Sequence, residues 1–137
     1  MPAREVQSTA TSGAYHVDLR TDRHAWTLDE RSDSGGHDGG PTPVEALLGA
    51  LVSCLTISFQ FTANRKKVPI DRIEGWVASN DQRYIEQIAI ELQVWSSAPE
   101  ADVRALLPNA ERGCFVKAVL KPEIALTIDL TVHHTGG

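Results

Sequence analysis

Residues 39–54, GGPTPVEALLGALVSC, decide the fold because they combine a loop, a helix start and a cysteine. Thr42 is a favoured N-cap residue, Pro43 suits the first helical position, and Glu45 stands where a capping box needs a glutamate. Apolar residues continue well beyond this stretch. We therefore expect a long helix that begins at Pro43 and ends near Lys66.

The predicted helix is apolar around most of its circumference rather than along one stripe. Its apolar residues are Val44, Ala46, Leu47, Leu48, Ala50, Leu51, Val52, Leu55, Ile57, Phe59 and Phe61. A single sheet covers only one side of a helix, so the remaining surface predicts contact with a second helix or a second subunit. We favour a homodimer. Polar residues recur within the same stretch and argue against a membrane-spanning segment.

Upstream of this helix, residues 15–29 predict a β-hairpin. Apolar and polar residues alternate at 15–19 and at 26–29, and residues 21–23 between them supply turn chemistry. The following residues 33–43, DSGGHDGGPTP, contain four glycines and two prolines. This composition interrupts both helical and strand periodicity and predicts a loop.

Three strands are predicted downstream of the helix. Residues 70–79 and 88–95 are expected to join one antiparallel sheet, because the second of them alternates apolar and polar residues. The strictest alternation runs over 124–132 and predicts a final strand, which leaves 133–137 as a frayed tail.

A second helix is predicted between the last two strands. Pro99 opens it, Pro108 is expected to kink it, and Gly113 is expected to end it. A short helical turn then follows from Cys114. The predicted fold class is therefore α+β, with an antiparallel sheet, a long central helix and a second, kinked helix.

The overall composition predicts one soluble domain, residues 1–137. Hydrophobic residues make up 42% and charged residues 23% of the chain, which is typical of globular proteins. A net charge of −5 argues against nucleic-acid binding, and we interpret the basic residues 65–67 as a helix end. The first residues lack the apolar core of a secretory signal, so we expect a cytoplasmic protein.

Only two cysteines occur, Cys54 and Cys114. A reducing cytosol disfavours a permanent disulfide, so they are either two buried thiols or one redox pair. Cys54 has an apolar, mid-helix setting, in which a buried and unreactive thiol is the simpler interpretation. Cys114 follows Gly113 at a helix start, where free backbone N–H groups are expected to favour a thiolate.

Glu45 is explained by helix capping alone, yet it could also serve a reactive thiol. Nine residues of helix place Glu45 about 180° around the axis from Cys54 and about 13 Å along it. The two side chains cannot meet within one helix, so a shared site would need Glu45 of a second subunit. The histidines show no spacing typical of metal ligands, and we expect neither a metal nor a bound cofactor.

At this point the sequence resembles the OsmC/Ohr family of organic hydroperoxide reductases and osmotically induced redox proteins. The resemblance rests on residues 39–48, GGPTPVEALL, on residues 50–54, ALVSC, and on Ala110 ahead of Cys114. The order of hairpin, long helix, strands, kinked helix and final strand is also similar. One departure is Phe115, since the family often has proline directly after its second cysteine.

The resemblance implies an intertwined homodimer with two sites at the subunit interface. In the family the cysteine matching Cys54 attacks the peroxide, and the one matching Cys114 resolves the sulfenic acid to a disulfide. An external dithiol of the lipoyl type then restores the thiols. The glutamate matching Glu45 holds an arginine, for which we select Arg31.

Other residues and other functions stay open from the sequence. Arg20 and Arg23 are alternatives to Arg31, because the family differs in where this arginine lies. The favoured function is a thiol peroxidase that acts on organic hydroperoxides in oxidative-stress defence. The alternatives are a non-catalytic dimer that binds an apolar ligand and a dimer whose cysteines sense oxidant without turnover.

Overall fold

The structure is a computed structural model that describes residues 4–81 and 83–136. It confirms the α+β class, with six strands and four α-helices among the described residues. The chain forms two compact units, Met1–Leu47 and Leu48–Gly137.

The first unit contains a three-stranded antiparallel sheet. Its strands are β1 (Gln7–Ala10), β2 (Val17–Arg20) and β3 (Ala25–Leu28), in the order β1-β2-β3. The predicted hairpin is confirmed as β2 and β3, which pair in the register Val17↔Leu28. Strand β1 was not predicted, because all four of its residues are exposed and none of the apolar alternation of a half-buried strand is present.

The central helix begins and ends where the capping signals predict, as α1 (Pro43–Lys66). The backbone N–H of Thr42 donates to Glu45 Oε1 at 2.9 Å, and the N–H of Glu45 donates to Thr42 Oγ1 at 3.2 Å. These two bonds are the reciprocal pair of a capping box. The predicted loop before the helix is also confirmed, apart from one 3-10 turn at Ser32–Ser34.

The second unit contains a mixed sheet of three strands. The predicted antiparallel pairing of residues 70–79 with 88–95 is confirmed, whereas the prediction of an antiparallel sheet is wrong for the third strand. Strands β4 (Arg72–Ser79) and β5 (Gln87–Ser96) pair antiparallel, but β6 (Ala125–His134) pairs parallel to β5. A parallel pair needs a long crossover connection. The segment between β5 and β6 provides one, and local alternation within β6 contains no signal of direction.

Three short helices form this crossover: α2 (Glu100–Arg104), α3 (Leu107–Arg112) and α4 (Phe115–Ala118). The predicted kink is instead a break between α2 and α3, which places Pro108 in the first turn of α3. That position suits proline because its missing N–H has no helical partner there. Gly113 ends α3 and Cys114 is the N-cap residue of α4, as expected.

The predicted frayed C-terminal tail is wrong for the residues that the structure describes. His133 and His134 belong to β6, and the His133 ring stacks on Trp95 with centroids 4.6 Å apart. The backbone N–H of Thr135 donates to the carbonyl of Ser96 at 2.8 Å. Pairing and stacking therefore order this end, whereas Gly137 lies outside the described residues.

The core of the second unit lies between α1, the crossover helices and one face of the sheet. Its buried apolar residues are Leu51, Leu55, Phe59, Ala63, Ile88, Ile90, Leu92, Val94, Ala98, Val103, Leu106, Ala110 and Cys114. On α1, Ile57 and Phe61 are instead 68% and 67% exposed. This helix is long and apolar enough to cross a membrane by length and composition, a property that core helices of soluble proteins share.

Candidate functional site

The two cysteines meet in the second unit, although 60 positions separate them in sequence. Cys54 lies near the middle of α1 and is half-buried, whereas Cys114 is 1% exposed at the start of α4. Both are free thiols. Cys54 is near enough that its hydrogen bonding and charge affect the ionisation of Cys114. The fold thus brings together a partly accessible thiol and a buried one.

Burial raises the pKa of the Cys114 thiol, which overturns the expectation that its helix start favours a thiolate. The backbone N–H groups of Lys117 and Val116 oppose the shift, as a helix start predicts. Loss of hydration outweighs them, and the neighbouring Cys54 raises the pKa further. Cys114 is therefore a neutral thiol at rest.

Ser58 and Gly113 fix how the crossover helices approach α1 near the thiols. Ser58 Oγ donates to the carbonyl of Ala110 at 2.7 Å. A Cβ atom on Gly113 would lie 2.6 Å from Ser58 Oγ, which is closer than side-chain atoms tolerate. Gly113 has ordinary helical backbone angles, so this contact rather than backbone freedom requires a glycine. The contact lies directly before Cys114 in the chain.

We expect Gly113→Ala to destabilise the protein by about 1–3 kcal/mol, because the added methyl group displaces Ser58 Oγ from its hydrogen bond. Ser58→Ala removes the obstructing oxygen, so the double variant should lose less stability than the two single changes summed. Urea denaturation measures the free energy of unfolding of the single and double variants. Gly49→Ala is the matched control: its Cβ would meet nothing within 4 Å, and we expect a gain of about 0.5–1 kcal/mol. Strict additivity at 58 and 113 would contradict the assigned contact.

A cleft of about 380 Å³ opens beside Cys54 within the second unit. Its lining residues are Cys54, Ile57, Ser58, Phe61, Thr62, Arg65, Asn109, Gly113 and Phe115. Three of the apolar side chains are largely exposed, including Phe115 at 69%. A larger groove of about 570 Å³ near Tyr84 and Ile124 has no thiol in its lining. Of these two, the smaller cleft is the one whose lining would bring an apolar ligand against a thiol.

In the first unit, Arg31 lies beside Glu45. Arg31 Nη2 is 3.5 Å from Glu45 Oε2, and both side chains are at least half exposed. The hydrogen bonds from Thr42, followed by the charge of Arg31, lower the pKa of Glu45 against the effect of desolvation. Of the three arginines considered, Arg31 makes this contact, whereas Arg20 donates to Gln7 at 3.0 Å.

Asp29 is a buried carboxylate that the sequence did not indicate as important. It is 2% exposed and accepts hydrogen bonds from the backbone N–H groups of Glu30, His37 and Gly39, at 2.7, 3.3 and 3.0 Å. Burial favours its neutral form, but these bonds outweigh burial and lower its pKa. Asp29 thereby ties the end of β3 to the glycine-rich loop that follows Arg31. Its position just before a glycine-rich loop was the available signal.

Asp29→Asn should lower the stability of the protein at neutral pH, because an amide group offers N–H donors to a site lined with donors. The carboxyl has a lower pKa in the folded protein than in the unfolded chain, where it is about 3.9, so its ionised form stabilises the fold at pH values above 3.9. This stabilisation is lost as the pH falls through the pKa of the folded state. The difference between variant and wild type should therefore shrink below about pH 4. Urea denaturation at pH 7 and pH 3 measures it. Asp22→Asn, in the exposed hairpin turn, is the control, and an equal loss there would contradict this role.

No group of three or more His, Cys, Asp or Glu side chains that could hold a metal ion is found in the described part of the chain. The site that the structure does display consists of the two thiols and the largely apolar cleft beside Cys54. Fold and site together define the class: an α+β protein with two adjacent cysteine thiols beside an apolar cleft.

The family model described as OsmC-like protein matches residues 36–129. The chain belongs to this family, which confirms the predicted membership. No curated protein matches the sequence significantly.

Solved structures share the fold at low sequence identity. An OsmC-like protein from Mycoplasma pneumoniae superimposes with a TM-score of 0.78 at 18% identity, and the match covers 94% of each chain. A hypothetical protein from Aquifex aeolicus gives 0.80 at 22% identity, covering 97% of this chain and 98% of that one. The organic hydroperoxide resistance protein OhrB of Bacillus subtilis gives 0.61 at 16% identity, covering 94% and 96%. At these identities the similarity establishes the fold.

Proposed function

We propose that the protein is a cytoplasmic thiol peroxidase that reduces organic hydroperoxides in defence against oxidative stress. The main observation in support of this proposal is the pair of free thiols, one accessible and one buried, beside an apolar cleft. Family membership supports the proposal, and fold relatives include proteins named for organic hydroperoxide resistance. An apolar cleft suits the organic part of such a peroxide.

In the proposed reaction, one thiol reacts with the peroxide and the other resolves the product. The Cys54 thiolate attacks the terminal peroxide oxygen, the O–O bond breaks, and the alcohol leaves after taking a proton. Cys54 is then a sulfenic acid. Cys114 gives up its proton as it attacks this sulfur, the S–O bond breaks, and the leaving hydroxide takes the proton and departs as water, which leaves the Cys54–Cys114 disulfide. An external dithiol of the lipoyl type reduces the disulfide and is itself oxidised, so no bound cofactor is needed.

The raised pKa of Cys114 fits its role as the resolving thiol. A neutral, buried thiol does not compete with Cys54 for peroxide, because the thiolate is the nucleophile. The adjacency of the two cysteines also suits a disulfide, which requires Cα atoms within about 7 Å in a reachable state. We assign Cys54 as the peroxidatic cysteine and Cys114 as its resolving partner.

The proposed active form is a homodimer in which Arg31 and Glu45 serve Cys54 of the opposite subunit. A thiolate needs a nearby cation, and Arg31 is held by Glu45 within the first unit. The exposed apolar surface of α1, with Ile57 and Phe61, supports association of two chains.

The test is consumption of tert-butyl hydroperoxide with dihydrolipoamide as reductant, comparing the wild type with Cys54→Ser. We expect many turnovers per wild-type chain and none above background for the variant. Equal consumption by both proteins would contradict the proposal.

The cleft also favours a second candidate function, that of a non-catalytic protein that binds an apolar ligand. This candidate predicts ligand binding without any peroxide consumption.

A further inference from the structure

The peptide groups on either side of Arg31 are fixed by hydrogen bonds within the first unit. On the N-terminal side, the carbonyl of Glu30 accepts from the backbone N–H of Asp38 at 3.1 Å. On the C-terminal side, the carbonyl of Arg31 accepts from the N–H groups of Ser34 and Gly36, at 2.9 and 3.0 Å. Since peptide groups are planar, fixing both of them fixes the direction in which the Arg31 side chain leaves the backbone.

Two aspartates hold this arrangement together. The buried carboxylate of Asp29 accepts from the N–H group directly before Arg31 and from two N–H groups that lie six and eight residues after it. The carboxylate of Asp38 accepts from the N–H and the hydroxyl of Ser32, at 3.2 and 2.8 Å. Both carboxylates therefore connect a direct neighbour of Arg31 to the far end of the loop formed by residues 30–39.

The ion pair between Arg31 and Glu45 is too weak to place the arginine by itself. Its atoms are 3.5 Å apart, and both side chains are at least half exposed. Such a pair contributes little, because the loss of side-chain entropy offsets the attraction. A buried carboxylate with three backbone N–H donors is a stronger constraint. The rigidity that can place the guanidinium therefore comes from the backbone of residues 30–39.

We propose that Asp29 and Asp38 are positioning residues, which place the Arg31 guanidinium beside Glu45 and so determine how well it stabilises the Cys54 thiolate. The effect on the thiolate rests on the proposed function. The placement of Arg31 beside Glu45 is a property of the single chain and is independent of that function.

The placement is tested by the Nε–Hε magnetic resonance signal of Arg31 in isotope-labelled, reduced protein. This signal is assigned as the one that Arg31→Gln lacks, and Glu45→Gln defines where it lies when the guanidinium is released. We expect Asp29→Asn to move the signal most of the way to that position. Asp38→Asn should move it less, since Asp38 is exposed and holds only the residue after Arg31.

Asp33→Asn is the matched control. It removes one negative charge from the same loop, at an exposed carboxylate that accepts from the hydroxyl of the neighbouring Ser34 at 3.3 Å. We expect the Arg31 signal to stay in place, because this bond does not reach either peptide group of Arg31. The control thus separates loss of charge near the arginine from loss of the backbone constraint.

The effect on the thiolate is tested by the first turnover with tert-butyl hydroperoxide, well below the melting temperature. Asp29→Asn should react about tenfold more slowly than the wild type, because a displacement of about 1 Å costs up to about 100-fold. If Asp29 acts through Arg31, adding Asp29→Asn to Arg31→Gln should slow the reaction no further. General damage to the fold would instead slow the double variant beyond Arg31→Gln.

An Arg31 signal that stays at the wild-type position in Asp29→Asn overturns the inference, and so does an equal shift in Asp33→Asn or further slowing in the double variant. If Asp29→Asn does not fold, Asp38→Asn decides, since asparagine also tolerates the positive φ of 53° at residue 38. An unmoved signal there overturns the inference. If the signal moves as expected but the wild type consumes no more peroxide than Cys54→Ser, the placement stands and the peroxidase proposal fails.

Discussion

Cys114→Ser should lower steady-state peroxide turnover by about two orders of magnitude while leaving the first turnover intact. Of the two cysteines, the first step needs only Cys54, which lies at the cleft and is partly exposed. Without the buried partner, the sulfenic acid cannot close to a disulfide. It persists and reacts with further peroxide to a sulfinic acid, which is not recovered. Stopped-flow measurement should show fast consumption of one equivalent of peroxide per chain, followed by slower consumption of a second equivalent as the sulfinic acid forms and the protein is inactivated.

Mass spectrometry completes this experiment. In oxidised wild type we expect one peptide pair that joins Cys54 to Cys114, and in Cys114→Ser we expect overoxidised Cys54. Cys54→Ser is the control and should show neither the first turnover nor oxidation of Cys114, because burial keeps that thiol protonated. Sustained turnover of Cys114→Ser at the wild-type rate would assign resolution to the external dithiol instead.

Local signals in the sequence predicted α1 well, because the interactions that begin it lie within four residues. The capping bonds between Thr42 and Glu45 follow from residue type and spacing alone. The parallel pairing of β6 with β5 depends instead on how a long crossover returns to the sheet. No alternation within either strand encodes that direction.

The site shows the same division between local and non-local causes. The sequence correctly predicted that Cys114 stands at a helix start. It did not predict that this residue is buried, and burial raises the pKa of the thiol where the helix start alone was expected to lower it. Asp29 was missed for a related reason. Its importance lies in three backbone N–H groups that converge on it, two of them from residues eight and ten positions away. The contact of Gly113 with Ser58 likewise depends on packing between elements distant in sequence.

Glu45→Gln is expected to lower peroxide turnover about tenfold or more while the helix keeps its cap. Glutamine also functions in a capping box, so the hydrogen bond with Thr42 can persist. What is lost is the charge that holds Arg31 at 3.5 Å. Because both side chains of this ion pair are exposed in the isolated chain, the pair itself adds little stability. A fall in turnover with an unchanged melting temperature would therefore indicate positioning of Arg31.

A mixed dimer decides which subunit supplies Glu45. One chain carries Glu45→Gln with Cys54 intact, and its differently tagged partner carries Cys54→Ser with Glu45 intact. Sharing between subunits brings the intact Cys54 and the intact Glu45 into one site, so the purified heterodimer should have about half the wild-type turnover. The second site then contains both substitutions and is inactive. If each chain supplies its own Glu45, neither site is complete, and the heterodimer should be no more active than the Glu45→Gln homodimer. Since nine residues of α-helix separate the two groups by about half a turn around the axis, we expect the first result.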